Sequence, residues 1–226
     1  DSDSRAHLRL QILDALYARA DTAIAGAAAR ELESKTIGAA LADGSADACV
    51  LAEWRLFQRD TATVQATIAL LRADSAAQPA PVAPAPLVCA DLLQAWLAVT
   101  LRQPSALAEV QRVDSLVLNT SAAGDAQTYA HLVIGRLYRR LGEPRAAWEA
   151  LRRRPYLSGW PRYLAATLRT EAELAVELGQ DADALEAYRK YLALRDDPEP
   201  QLIPEVERVR ENVARLGSRS AALRSQ

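Results

Sequence analysis

Two cysteines, two histidines and a cluster of arginines are the residues of this chain whose chemistry could go beyond packing. Cys49 and Cys89 each stand near the start of an apolar-periodic segment, with 40 residues between their positions. Aligning the turns that follow them, Thr61 against Pro104, gives an offset of 43 residues. The cysteines are therefore about one helical turn out of register, roughly 4.5 Å along a helix axis. Helices packed side by side bring such a pair within reach of a disulfide. Two readings stand: a disulfide if the chain is exported to an oxidising compartment, or two buried free thiols in an alanine-rich core.

The other polar clusters point to less. His7 and His131 are far apart in sequence, and no Cys/His group has the spacing of a four-ligand zinc site, so no metal is expected and a partly exposed helix histidine is the simpler reading. Asp196, Asp197 and Glu199 lack the alternating ligands and central glycine of a calcium loop. No nucleophile sits in a recognisable turn, there is no glycine-rich nucleotide loop, and no His-Arg-Asp triplet occurs. The expectation is a chain that is not an enzyme and holds no cofactor.

Arginine is distributed unevenly. Between His131 and Thr170 stand nine arginines against only Glu143 and Glu149, and the chain from Glu171 onward is net acidic. Arginine forks suit carboxylates and phosphates, so Arg136, Arg139, Arg140, Arg152, Arg153, Arg154 and Arg162 are candidates for docking an acidic protein or a lipid surface. Tyr156, Trp160 and Tyr163 are candidate aromatic anchors beside them. A solvated face whose charges pair with the acidic segment that follows explains the same pattern. Nucleic acid is not expected, because the aromatics are not interleaved on a basic groove.

These residues need elements to hold them. Alanine and leucine dominate, both strong helix formers, and half the residues are apolar. Leu8, Ile12, Leu13 and Leu16 form a stripe at helical steps. The segments Arg5 to Arg19 and Asp21 to Ala42, with Asp21 as cap, read as one helical pair. Asp47 to Ala73 reads as a second, turning at Arg59-Asp60-Thr61, and Leu87 to Leu118 as a third. Prolines 79, 81, 84 and 86 make 75–86 a non-helical connector. Two further hairpins are expected, over Asp125 to Arg153 and Trp160 to Arg195, with Asp181 as the cap and Pro144 as an early helical proline of their second helices. A charged helix over Glu205 to Leu216 closes the array, and 217–226 is expected to be a loose tail. The chain thus divides into N-terminal hairpins (1–74), the connector (75–86), a repeat region with its terminal helix (87–216) and the tail.

Within His131 to Leu151, Gly135 precedes Tyr138 by three residues, Gly142 marks the turn and Ala147 follows five residues later. Gly179 lies 37 residues after Gly142, and in that frame Ala184 matches Ala147, Tyr188 matches Leu151 and Ala172 stands at the place of Gly135. This spacing resembles that of tetratricopeptide repeat proteins, with His131 where the repeat usually has tryptophan. The stretch WPRYLAATLRTEAELAVELGQDADALEAYRKYLALRDDPEP is similar to the C-terminal repeats of certain bacterial sensor proteins, in which an output domain precedes the array, often across a membrane. The resemblance implies an all-α, right-handed α-solenoid of helical hairpins with a C-terminal capping helix, binding protein partners through its concave surface.

The formal net charge of −2 gives no global drive toward nucleic acid or an anionic membrane. No apolar run reaches the roughly 20 residues that span a bilayer. The chain begins at Asp1, so any signal or anchor is expected outside it, and a periplasmic or otherwise extracytoplasmic location is favoured. The function expected is that of a non-catalytic protein-binding scaffold, or an accessory subunit of a larger, membrane-associated assembly. The alternative is a ligand-sensing or regulatory repeat domain of a bacterial signalling protein.

Overall fold

The structure is a computed structural model that describes residues 2–19, 21–36, 41–77, 85–119, 127–153 and 163–224. Among these residues all regular structure is helical. The first hairpin pairs α1 (Ser2–Asp14), which runs into a π-helical turn at Ala15–Arg19, with α2 (Thr22–Thr36). It is followed by α3 (Leu41–Phe57) with α4 (Thr61–Ala77), and α5 (Ala85–Thr100) with α6 (Ala106–Asn119). Then come α7 (Gln127–Arg140) with α8 (Pro144–Arg152), α9 (Leu164–Glu177) with α10 (Asp181–Ala193), and the terminal α11 (Ile203–Arg224).

Each helix packs on the next along the chain, and the first helices of the early hairpins also pack on one another, α1 on α3, α3 on α5 and α5 on α7. The apolar stripe of α1 supplies Leu8, Ile12 and Leu13 to the core, while Leu16 is half-buried. Small residues set the approach of α7 and α8. A Cβ built on Gly135 would lie 2.7 Å from Leu151 Cγ and 3.2 Å from the Ala147 carbonyl oxygen. Ala147 is itself fully buried. Caps and turns follow local chemistry: Asp21 Oδ1 accepts the N–H groups of Ala23 and Ile24, and Pro144 opens α8, where its missing N–H leaves no intrahelical bond unmade.

Arginine–carboxylate pairs tie one hairpin to the next. Asp47 of α3, fully buried, takes Arg5 at 3.1 Å and Arg9 at 2.5 Å from α1. Asp91 of α5 takes Arg72 of α4 and Arg112 of α6. Asp114 of α6 receives both arms of Arg153, at 2.8 and 2.9 Å, and the Tyr138 hydroxyl at 3.1 Å. Arg139 of α7 pairs with Glu173 and Glu177 of α9, and Arg169 of α9 with Glu205 of α11 at 2.8 Å.

Several sequence expectations change. The connector expected over 75–86 is helical at both ends, because α4 continues through Ala77 and α5 begins at Ala85 with Pro86 in its first turn; residues 78–84 lie outside the described residues. The tail expected to be loose from Gly217 is helical through Arg224. Gly217 is not in a left-handed conformation, and Ser-Arg-Ser-Ala-Ala-Leu-Arg has nothing that breaks a helix. Asp181 is the first residue of α10 rather than its cap; Gln180 holds that place, with no side-chain cap bond.

Candidate binding groove

The first helices of the hairpins converge on one cavity. Leu16 and Tyr17 from the π-helical turn, Phe57 from α3, Trp96 from α5, Val133, Arg136, Leu137, Arg139 and Arg140 from α7, and Arg169, Thr170 and Glu173 from α9 enclose about 570 Å³. Its apolar side is Phe57, Trp96 and the α7 aliphatics; its polar side is a cluster of guanidinium groups. Arg139 is neutralised by Glu173 and Glu177, and Arg169 by Glu205. Arg136 and Arg140 form no ion pair among the described residues, although the Glu173 charge acts on Arg136 from a distance. Arg136 lies over the Tyr17 ring at 5.6 Å, and its pKa is lowered by burial and by the neighbouring Arg169 and Arg140 charges.

Behind this wall lies a buried acid. Glu53 of α3 accepts hydrogen bonds from the hydroxyls of Tyr17 and Tyr129. Burial raises its carboxyl from 4.5 to about 7, against the pull of the two phenols. Tyr17, Tyr129 and Tyr163 pack ring against ring, with centroids 5.3 to 6.2 Å apart, joining the first hairpin to α7 and α9. Burial and the Glu53 charge raise the Tyr17 and Tyr129 hydroxyls well above their ordinary value. A π-helical turn shifts the side-chain register by one residue, and here it carries Tyr17 inward to this cluster.

A second cavity of about 1000 Å³ continues from the first, sharing Phe57, Trp96 and Arg140. It lies at the turn ends of α3, α5 and α7, with Arg59, Arg102, Gln103 and Leu141 around it. The two cavities adjoin along the three residues they share, and together they are termed the groove.

The arginines singled out by sequence separate in the structure. Arg136, Arg139 and Arg140 line the groove. Arg153 is committed to Asp114, and Arg152 lies 4.3 Å over the Trp148 ring with Glu171 and Asp183 within 3.9 Å. Tyr163 belongs to the tyrosine cluster. Arg154, Tyr156, Trp160 and Arg162 lie outside the described residues. Cys49 and Cys89 form a disulfide between α3 and α5, with a Cα–Cα distance of 6.0 Å. Of the histidines, His7 is exposed, whereas His131 is buried, not partly exposed, beside Arg153 and Asp114. Among the described residues no group of His, Cys, Asp and Glu is arranged to hold a metal ion, and no helix is long and apolar enough to cross a membrane.

Sequence reasoning missed Glu53, Tyr17, Tyr129, Arg59 and Arg102. The first three are 36 and 76 residues apart in their contacts, and nothing local marks them. A signal for the last two was present: the offset of 43 residues that aligns Thr61 with Pro104 also aligns Arg59 with Arg102. Comparison of the chain with protein-family models, with curated proteins and with solved structures returns no match.

Proposed function

We propose that this chain is a tetratricopeptide-type α-solenoid acting as a non-catalytic scaffold, an accessory subunit that holds a segment of a protein partner in the groove between its first helices. The observation that carries the reading is the composition of that groove: Phe57 and Trp96 supply apolar contact next to Arg136 and Arg140, which form no ion pair among the described residues. Aromatic side chains and arginine are the residues that dominate binding energy at protein interfaces. The glycine turns at Gly142 and Gly179 and the packing of successive hairpins support the repeat assignment. The Cys49–Cys89 disulfide supports an extracytoplasmic setting, and with it membership of a membrane-associated assembly.

The test is site-specific photo-crosslinking in the native host. A crosslinker at Phe57 should trap a discrete partner that one at exposed Leu107 on α6 does not, and Trp96→Ala should remove the adduct. Equal trapping at both positions would place the partner elsewhere.

The size of the inner cavity favours a second reading, a ligand-sensing domain, since about 570 Å³ lies within the range of small-molecule sites. A thermal shift with small aromatic carboxylates, abolished by Arg136→Gln, would select it over the scaffold.

A further inference from the structure

Four helical turns in this chain have the same geometry and two different residue types. After α3, α5, α7 and α9 the second residue beyond the helix is left-handed: Arg59 at φ 66°, Arg102 at φ 53°, Gly142 at φ 78° and Gly179 at φ 71°. The hydrogen bonds agree. The N–H of the following residue bonds to the carbonyl five back in all four, Asp60 to Arg55 at 2.9 Å, Gln103 to Ala98 at 2.9 Å, Glu143 to Tyr138 at 3.0 Å and Gln180 to Ala175 at 2.8 Å. Glycine is the residue this position favours, because a Cβ is disfavoured there. Arginine at two of the four is therefore a departure that local stability does not explain.

Both arginines reach the same place. Arg59 and Arg102, with Arg140, line the turn-end cavity of about 1000 Å³, and none of the described residues that line it is acidic. All three are exposed, and none has an ion pair or side-chain hydrogen bond among the described residues. Asp60, the acid next in sequence to Arg59, is occupied in accepting the Thr63 N–H at the start of α4. Phe57 is 50 % exposed beside them and Leu101 44 %.

From this we infer that the turn-end cavity is an anion subsite of the groove, and that the partner segment it takes is an acidic peptide whose carboxylates alternate with apolar side chains. The inference rests on the scaffold reading and names the chemistry of its partner. Guanidinium forks match carboxylates two bonds at a time, and the apolar residues between them match the other side of an extended chain. The two cavities together exceed the volume of ordinary small-ligand sites, which suits a chain running along the groove. A nucleic-acid strand fits less well, because this chain is net negative and the positive charge is confined to a few forks.

The experiment uses the whole protein and three fluorescein-labelled probes: a short peptide of alternating glutamate and leucine, its glutamine counterpart, and a single-stranded oligonucleotide. The glutamate peptide should bind, more weakly as salt rises, and the double variant Arg59→Gly/Arg102→Gly should lose about tenfold or more in affinity. The melting temperature of that variant should stay level or rise, since glycine relieves both turns. Unchanged affinity in the variant, equal binding of the glutamine peptide, or tighter binding of the oligonucleotide would each overturn the inference. So would a fall in melting temperature, which would make the arginines structural. If the glutamine peptide binds and Trp96→Ala abolishes it, the scaffold reading survives while the anion subsite does not.

Discussion

Two buried titratable groups pull the stability of this protein in opposite directions as pH changes. The Glu53 carboxyl is raised from 4.5 to about 7, chiefly by burial, so the folded state holds a proton that the unfolded chain releases, and stability falls as pH rises across that interval. A rise of that size corresponds to about 3 kcal/mol, fully lost above pH 7. His131 is lowered from 6.5 to about 4 by burial and then by the Arg153 charge, so stability falls as pH drops across its interval. The windows overlap, and the two slopes offset each other in the native protein. Glu53→Gln should expose the histidine slope, making the protein less stable at pH 5 than at pH 7. His131→Gln should do the reverse. Chemical denaturation at both pH values checks this, and level profiles in both variants would remove the argument. A steric prediction belongs to the same scale. Ala147→Leu should cost about 1–3 kcal/mol, because Ala147 is fully buried where α8 closes on α7 and the added atoms would overpack that contact.

At the scale of elements, the turns decide most. Gly142→Ala and Gly179→Ala should each cost about 1 kcal/mol, as a Cβ is added at φ 78° or 71° with open space around it, so that backbone strain alone is measured. Arg59→Gly should go the other way by a similar amount, and thermal melts of the three single variants test the sign as well as the size. The glycine turns were legible in the sequence because glycine announces a left-handed residue. The other two turns were placed by sequence as well, at Arg59-Asp60-Thr61 and before Pro104, but nothing there marked Arg59 and Arg102 as left-handed, since arginine is an ordinary helix former. Helix periodicity likewise placed the last three hairpins to within a few residues, but it assigned Ala42 to the second helix, which ends at Thr36, when Ala42 belongs to α3. Nor could it see that the proline-rich stretch begins and ends inside helices. Prolines 79, 81 and 84 outweighed three helix-compatible residues, Ser75-Ala76-Ala77, that precede them.

For the whole molecule, the arrangement of charge is the feature that sequence could state only in aggregate. Nine arginines in one segment predicted a positive field, yet Arg139, Arg145, Arg153 and Arg169 are spent on carboxylates that join helices or stabilise one. Which arginines stay uncommitted depends on where Glu173, Asp114 and Glu205 fall in three dimensions, and no local pattern contains that. The tyrosine–Glu53 cluster was illegible for the same reason: its members come from four different hairpins. The disulfide acts at this scale too. Closing a loop between residues 49 and 89 is worth about 4 kcal/mol in chain entropy, so reduction should lower the melting temperature by many degrees. An unchanged melt with and without reductant would show the bond to be dispensable.

The same bond encloses all of α4 in a covalent ring. A protease that cuts the chain once, at any peptide bond between Val50 and Val88, therefore leaves a single molecule with two new ends and every helix still tethered. On a denaturing gel such nicked protein should migrate near full length until a thiol is added, and only then separate into two pieces. Cleavage and disassembly are distinct events for this protein, and reduction is what connects them.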